Sequence, residues 1–362
     1  MSLVDIYKKA FELEDLSLEE ALILYKEAPT SELLFLAHEL RKKHKKDDKK
    51  VGWIIDRNVN ITNVCIAQCK FCNFCRTPKS DDAYVTNIEQ YKVKIDEMYR
   101  LGGRQLLLQG GLHPDLGLAY YVDLFERLKI IYPDLKLNAL SPSEIVHISN
   151  KEGISYSETL KILMKAGLDS LPGAGAEILS ERVRKIVSPA KCTVQQWLDV
   201  MKEAHLLNLP TSATMMFGFI ETIEGRIEHL FALRNLQAQK PVGNYGFVIF
   251  IPWPYQPEYT KLQQMYPELE RVSAIEYMRL VAISRIVLNN IENIQSSWLT
   301  VGKDVAQLTL FGGANDLGSI MIEENVVSAA GAEYSMNSDD MTKAILEAGF
   351  EPVLRNQKYE FL

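Results

Sequence analysis

Short apolar runs alternate with amphipathic stretches from residue 53 almost to the end of the chain. The apolar runs predict strands at 53–61, 105–108, 136–140, 168–171, 211–217, 245–251, 293–298 and 319–323. Between them, apolar residues recur at helical spacing over 87–101, 120–132, 193–207, 224–236 and 274–288. This alternation predicts an α/β fold of the (β/α)8 TIM-barrel type, although a doubly wound open sheet would alternate similarly.

The two ends of the chain differ from this repeating middle. Residues 3–47 carry apolar helical faces separated by polar breaks, whereas residues 338–362 read as one helix, a stop at Gly349 and a short strand. We therefore expect a helical extension over residues 1–50, the barrel over residues 51–337, and a C-terminal helix and strand over residues 338–362.

The composition excludes several classes of function. The 362 residues are 47% hydrophobic with a net charge of −7, which fits a globular protein and argues against nucleic acid as the main partner. No apolar run approaches the roughly 18 to 20 residues of a membrane span. Residues 1–5 do not resemble the start of a signal peptide. We expect a cytoplasmic protein, because its unpaired cysteines suit a reducing compartment.

Four of the five cysteines fall within residues 65–75. Cys65, Cys69 and Cys72 have the spacing C-x3-C-x2-C, with Phe71 just before the last thiol and a short β-branched run before the first. The cysteines therefore lie on a loop that leaves the first strand. Three thiolates this close can bind an iron–sulfur cluster, and three ligands for four irons leave one iron open to another molecule.

Other uses of these cysteines fit the sequence less well. A structural zinc site usually needs a second Cys/His pair roughly 12 to 20 residues on, and the nearest downstream histidine is His113. A disulfide framework would not crowd its cysteines into one loop of a long chain. Cys75 completes no ferredoxin run, since Lys79 stands where another cysteine is needed, and Cys192 reads as a small buried residue.

Glycines and polar residues cluster where the predicted strands end. Gln109, Gly110 and Gly111 end the second strand, where the glycines permit a tight turn with its backbone exposed to a ligand. Ser141 ends the third strand. It is either an N-cap, with Glu144 completing a capping box, or a ligand contact.

Charged residues follow the later strands. Glu177 stands after several small residues, with Arg184 in the next helical stretch, and such a pair can bind hydroxyl groups and a carboxylate. A turn-forming segment with Asp316 precedes the last strand. Within that strand Glu323 and Glu324 must face opposite sides, so one of them points toward the barrel mouth.

The cysteine spacing with its aromatic residue resembles the cluster motif of the radical S-adenosylmethionine (SAM) superfamily. Further stretches are similar to the branch that contains the futalosine-pathway enzymes of menaquinone biosynthesis and the deazaflavin synthase subunits. They match best the futalosine-pathway cyclases. These stretches are 55–58, 108–115, 172–179, 213–218, 250–253 and 321–327.

The resemblance implies a [4Fe–4S] cluster held by Cys65, Cys69 and Cys72, with SAM on the open iron. It assigns the glycine segment to the methionine amino group, Glu177 to the ribose and Arg184 to the carboxylate of SAM. The residues it implies for SAM binding are Phe71, Gln109, Gly110, Gly111, Ser141, Glu177 and Arg184.

The resemblance also implies a reaction. A 5′-deoxyadenosyl radical removes the C4′ hydrogen from the ribose of dehypoxanthine futalosine, and the substrate radical closes onto the aromatic ring. Loss of one electron and a proton then gives the cyclic product. A base must take up the last proton, for which Asp316, Glu323 and His113 are candidates. A small protein such as flavodoxin or ferredoxin would supply the electron.

Three alternatives stay open. The chain could carry out the aminofutalosine synthase reaction of the same pathway or a deazaflavin-synthase-like radical reaction. It could also be a non-enzymatic iron–sulfur or zinc scaffold that uses the barrel as a binding module.

Overall fold

The computed structural model describes residues 2–45, 48–326, 328–331 and 334–362. Lys46 and Asp47 of the predicted helical N-terminus, and Val327 of the 321–327 stretch, lie outside these residues. Within the described ranges, no helix is both long and apolar enough to cross a membrane.

The strands follow the predicted apolar runs in order. They are β1 Lys50–Ile54, β2 Asp56–Asn60, β3 Gln105–Gln109, β4 Lys136–Ala139, β5 Leu168–Ser170, β6 Thr211–Phe217, β7 Phe247–Pro254, β8 Asp316–Ser319 and β9 Glu351–Leu354.

Helices fill the intervals between the strands and form the two ends of the chain. They are α1 Leu3–Phe11, α2 Leu18–Glu27, α3 Thr30–His44, α4 Ile88–Arg100, α5 Leu118–Ile131, α6 Pro142–Glu152, α7 Tyr156–Ala166, α8 Glu181–Val187, α9 Val194–Leu206, α10 Ile223–Ala238, α11 Lys261–Met265, α12 Ala274–Val287, α13 Trp298–Val301, α14 Lys303–Leu310 and α15 Ser338–Glu347, with a 3-10 turn at Ser328–Ala330.

Every strand pair is parallel, and the strands form three sheets in the orders β2-β3-β4-β5, β6-β7 and β8-β1-β9. Single parallel bridges join Leu171 to Thr211, Phe250 to Ile294, and Gln295 to Asp316, and β1 runs directly into β2. The sheets thus follow one another in the strand order of an eight-stranded barrel. The predicted α/β fold of TIM-barrel type is confirmed, with three sheets linked by bridges in place of one continuous ladder.

Two predicted strands differ from the structure at the end of the barrel. The seventh, predicted over 293–298, is reduced to the bridges at Ile294 and Gln295, because α13 begins at Trp298. The eighth, predicted over 319–323, lies earlier, at Asp316–Ser319. The chain turns out of the sheet at Met321, whose φ of 49° is incompatible with a strand.

The N-terminal helices pack on the outside of the barrel, α3 against α12 and α2 against α10. The hydroxyl of Tyr25 in α2 donates to Glu276 of α12 at 2.7 Å, and the Arg279 guanidinium donates to the Ala28 carbonyl at 2.9 Å. These helices therefore cover the side of the barrel formed by α10 and α12.

The C-terminal segment reaches the inside of the barrel. β9 pairs with β1, and Arg355 follows it with its guanidinium directed at the Asp316 carboxylate in β8. Nε and Nη2 lie 2.6 and 2.8 Å from the two carboxylate oxygens, and both residues are buried, at 3% and 0% exposure. Gly52 is required here, since a Cβ would lie 2.4 Å from Asp316 Oδ2. We call Asp316, Arg355 and the adjacent Tyr359 the barrel floor.

We predict that Arg355→Met lowers the free energy of unfolding by about 3 to 5 kcal/mol, because it leaves the buried Asp316 carboxylate without its partner. Urea denaturation followed by circular dichroism measures this. Arg127→Met is the matched control, since Arg127 pairs with Asp123 on an exposed face of α5 and its loss should cost less than about 1 kcal/mol. Equal effects of the two substitutions would contradict the prediction.

Candidate active site

A cavity of about 400 Å³ runs from the carboxyl ends of the strands down to the barrel floor. Its upper part is lined by the cysteine loop and by the turns after β3, β4 and β5. Its lower part is lined by inward side chains of the strands and by Arg355, Gln357 and Tyr359 of the C-terminal segment. Catalytic residues of α/β barrels gather at the carboxyl ends of the strands.

The predicted residues divide into those that line this cavity and those that do not. The lining residues among them are Cys65, Cys69, Cys72, Phe71, Gln109, Gly110, Gly111, Ser141 and Glu177. The predicted residues that do not line the cavity are Arg184, Asp316, Glu323 and His113.

The cysteine loop is closed by its own backbone. The Cys65 N–H donates to the Arg76 carbonyl at 3.0 Å and the Arg76 N–H to the Asn63 carbonyl at 2.8 Å. The Cys72 N–H donates to the Cys69 carbonyl at 3.1 Å, which forms a turn between these two thiols. All of the cysteines in this loop are free thiols facing the cavity.

The thiols differ in their electrostatic surroundings. A hydrogen bond with the Cys75 side chain lowers the pKa of Cys65 to about 5, whereas burial raises the pKa of Cys69 to about 12. The Cys75 thiol also donates to the Cys65 carbonyl at 3.3 Å. Among the described residues, no group of three or more Cys, His, Asp or Glu side chains converges on the centre of a single metal ion. A cluster binds each thiolate at a separate iron, so its ligands need not converge in this way.

The turn after β3 lies against the cysteine loop. The Gly111 N–H donates to the Thr62 carbonyl at 2.9 Å, and the Leu112 N–H donates to Cys65 Sγ at 3.3 Å. A Cβ on Gly111 would lie 2.1 Å from the Val64 carbonyl oxygen, so no larger residue fits. The predicted tight turn is therefore present, and it holds its backbone beside the first thiol.

Ser141 caps α6 through a bond from the Glu144 N–H at 3.3 Å, but Glu144 does not complete the expected capping box. Its side chain is 3% exposed and lines the cavity, and Oε1 has no hydrogen-bond partner among the described residues. Burial raises the pKa of Glu144 to about 8. A buried carboxylate oxygen without a partner is suited to receive a cationic or hydrogen-bond-donating group of a ligand.

Glu177 lies in the cavity wall with φ of 42°, in the left-handed region that few non-glycine residues adopt. The Lys191 ammonium lies 2.6 Å from Oε1, and Arg184 Nη1 lies 3.2 Å from Oε2. Lys191 also lines the cavity, 5.6 Å from the centre of the Phe71 ring.

Arg184 is placed differently from the expectation that it binds a ligand carboxylate. Its guanidinium donates to the backbone carbonyls of Gly175 and Ala176, each at 2.9 Å, and to that of Cys192 at 3.1 Å from Nε. Arg184 therefore braces the loop that carries Glu177 from behind, and Lys191 is the cation that faces the cavity. Cys192 is buried, as expected.

The three residues predicted as bases also lie outside the cavity. Asp316 is held by Arg355 in the barrel floor. Glu323 pairs with Arg57 at 3.0 Å, and His113 Nδ1 accepts the N–H of Asp115 at 3.1 Å. Glu324, the neighbour of Glu323, lines the cavity instead, in the irregular segment that follows β8.

Sequence reasoning missed Glu144 and Lys191 as cavity residues. Glu144 has the spacing of a capping box, which gave its side chain a plausible local role. Lys191 stands in a connecting segment without periodicity. No pattern in the sequence separates it from an ordinary surface lysine.

Comparison with known proteins adds two family matches. Residues 59–233 match the model of the radical SAM superfamily, and residues 244–362 match that of the CofH/MqnC C-terminal region. Together the two regions include the cysteine loop, the turns of the upper cavity and the barrel floor.

Individual relatives are similar over nearly the whole chain. Cyclic dehypoxanthine futalosine synthase of Streptomyces coelicolor is 41% identical over 95% of this chain and 85% of its own length. The protein of the same name from Halalkalibacterium halodurans is 39% identical, with coverage of 100% and 95%. Aminodeoxyfutalosine synthase of Thermus thermophilus is 34% identical, with coverage of 99% and 95%.

Among solved structures, methylornithine synthase (PylB) is similar with a TM-score of 0.71, covering 97% of this chain and 98% of that one. The sequence identity of 16% limits this likeness to the fold.

We predict that Glu144→Gln removes part of the pH dependence of stability of the cofactor-free protein. Below its ordinary pKa of 4.5, the carboxyl is protonated in both states. Between 4.5 and about 8 the unfolded chain loses this proton while the folded protein keeps it, so wild-type stability falls as pH rises. The loss is up to about 1.4 kcal/mol per pH unit.

Urea denaturation at pH 5 and pH 8 measures this difference. The glutamine variant should gain stability relative to wild type at pH 8 and match it near pH 5. Glu126→Gln, an exposed position in α5, serves as control and should retain the wild-type slope. Identical slopes for wild type and Glu144→Gln would contradict the prediction.

Proposed function

The chain belongs to the radical SAM superfamily, and from this membership we propose that it catalyses the cyclisation of dehypoxanthine futalosine in menaquinone biosynthesis. The observation that carries the proposal is that the cysteine motif lines a cavity inside the barrel, in a chain 41% identical to a cyclic dehypoxanthine futalosine synthase. The enzyme is then an oxidoreductase with a [4Fe–4S] cluster and SAM as cofactors.

We assign the cluster ligands to Cys65, Cys69 and Cys72. The donor set fits, because all three are free thiols on one short loop and face one cavity. Cys75 is the remaining thiol of the loop, and we propose that it adjusts the Cys65 thiol through the hydrogen bond between the two side chains without binding iron. The zinc scaffold alternative would require a fourth protein ligand.

The residues around the cysteine loop also fit SAM. The exposed backbone at Gly110 and the unpartnered Oε1 of Glu144 can receive an ammonium group, and Glu177 can accept hydroxyl groups of a ribose. Lys191 can bind a carboxylate in the role first expected of Arg184. Ser141 shares its hydroxyl between this cavity and the cap of α6.

When bound, the cluster and SAM supply a 5′-deoxyadenosyl radical that removes the C4′ hydrogen of the substrate ribose. The protein must hold that hydrogen close by and keep water away. Ile249, Ile251 and Trp253 of β7 give the cavity an apolar wall, while the C-terminal segment closes its lower end. These features support a reaction that keeps a radical away from water.

The last proton needs an acceptor inside the cavity. The predicted candidates Asp316, Glu323 and His113 do not line it, so we propose that the acceptor is one of the carboxylates that do. These are Asp56, Glu144, Glu177 and Glu324.

The second candidate function is that of aminodeoxyfutalosine synthase, because this chain is 34% identical to the Thermus thermophilus enzyme of that name over nearly its full length. In that reaction the radical adds to an enolpyruvyl acceptor. This acceptor is a second substrate, which the cyclisation does not need. We further propose that a flavodoxin or ferredoxin supplies the electron, in the reducing cytoplasm.

We predict that the anaerobically reconstituted protein, given SAM, dithionite and dehypoxanthine futalosine, yields 5′-deoxyadenosine and a cyclic product two hydrogens lighter than the substrate. Mass spectrometry of the products measures both. A parallel incubation with the aminodeoxyfutalosine synthase substrates is the control. Adduct formation there, without cyclisation, would favour the second candidate, and the absence of SAM cleavage in both would overturn the radical assignment.

We also predict that Cys65→Ala, Cys69→Ala and Cys72→Ala each reduce bound iron from about four atoms per chain to near zero, because three thiolates hold the cluster. Iron analysis after anaerobic reconstitution measures the loss. Cys75→Ala is the matched control in the same loop and should keep its iron. Loss of iron in that variant too would make Cys75 a ligand and contradict our assignment.

A further inference from the structure

Below the cysteine loop, the inner face of β2 is polar. Asp56, Asn58 and Asn60 alternate along the strand, and all three line the cavity. Successive inward residues are about 6 to 7 Å apart along a strand, so this strip descends from the level of the Gly110 turn toward the barrel floor. Asn58 is not among the residues assigned above to the cluster or to SAM.

Asn58 differs from the other two residues of this strip in the hydrogen bonding of its side-chain oxygen. Asn60 Oδ1 accepts the Asn325 amide at 3.0 Å, and Asp56 Oδ2 accepts the Gln105 amide at 3.3 Å. Asn58 is 5% exposed, yet its Oδ1 has no hydrogen-bond partner among the described residues. Buried polar groups are nearly always satisfied, so an acceptor that faces a cavity without a partner indicates a ligand that donates to it.

Asn138 lies at the same level of the barrel. The strand register pairs Asn58 with Leu107, and Leu107 with Asn138, so the two asparagines flank β3 at about 9 to 10 Å between their backbones. Asn138 Oδ1 accepts the Ser170 hydroxyl at 2.8 Å. That bond leaves the Asn138 amide nitrogen as a donor on a residue that lines the cavity.

The opposite wall of the cavity is apolar. β7 is four strands on from β3 in the barrel order, and it contributes Ile249, Ile251 and Trp253. The cavity thus offers an acceptor and a donor on one side and an apolar surface on the other. A hydroxyl group both donates and accepts, and two neighbouring hydroxyl groups would span the gap between the asparagines.

We infer that Asn58, together with Asn138, binds the hydroxyl groups of the substrate's sugar and so directs its aromatic portion toward β7. This inference rests on the proposed function, whose substrate carries both a ribose and an aromatic ring. Asn58 is then a specificity-determining residue that selects substrates with sugar hydroxyl groups.

The test compares dehypoxanthine futalosine with its 2′,3′-dideoxy analogue on the anaerobic enzyme loaded with cluster and SAM. Equilibrium dialysis gives the affinity for each ligand. Wild type should bind the hydroxylated ligand about tenfold more tightly, which corresponds to about one hydrogen bond. Asn58→Leu should lose most of this preference, because only the contact of Asn138 with the hydroxyl groups remains.

Two further variants separate recognition from folding. Asn58→Asp keeps an acceptor oxygen in the same shape and should keep the preference for the hydroxylated ligand. Asn293→Leu changes a buried asparagine that lines the smaller cavity behind the barrel floor. It should lower thermal stability and leave the wild-type preference unchanged.

The outcomes are distinguishable. A folded Asn58→Leu variant that discriminates as wild type does, or a wild type that binds both ligands equally, would overturn the inference. If wild type discriminates in binding and Asn58→Leu does not, but wild type forms no cyclic product, the proposed reaction is overturned and recognition of the hydroxyl groups by Asn58 still stands.

Discussion

The site depends on the contact of two backbones at Gly111. Its Cα approaches the Val64 carbonyl so closely that no side chain fits, and Gly111, Ile66 and Leu112 tie the two segments together through main-chain bonds. The loop with the thiols and the glycine turn after β3 therefore form one unit. A cofactor that contacts both segments therefore meets groups whose spacing is set by the backbone. Flexible side chains could not fix this spacing as firmly.

The sequence was most informative where backbone geometry decides the outcome. Parallel strands end at one edge of a barrel, so residues directly after the apolar runs had to share a site, and Gly110, Gly111, Ser141 and Glu177 do. The cysteine spacing places its thiols on one loop whatever the rest of the chain does. These predictions needed only strand direction and short-range spacing.

The sequence was least informative where a side chain can turn either way. Arg184 and Lys191 are both cations near Glu177, and contacts with the Gly175 and Cys192 carbonyls direct the first of them away from the cavity. At the last strand the positive φ of Met321 ends the regular alternation, so periodicity alone did not tell which of the following carboxylates faces inward. Both choices depend on contacts between residues that no local pattern reports.

The barrel floor has a consequence for the order in which the protein is made. Asp316 meets its guanidinium only after Arg355, which is translated 39 residues later, has arrived with β9 beside the first strand of the sheet. Pairings this distant in sequence form slowly. The cavity of a nascent chain thus stays open from below until β9 has been translated, so the closed lower end that protects a reactive radical exists only once β9 has paired with β1.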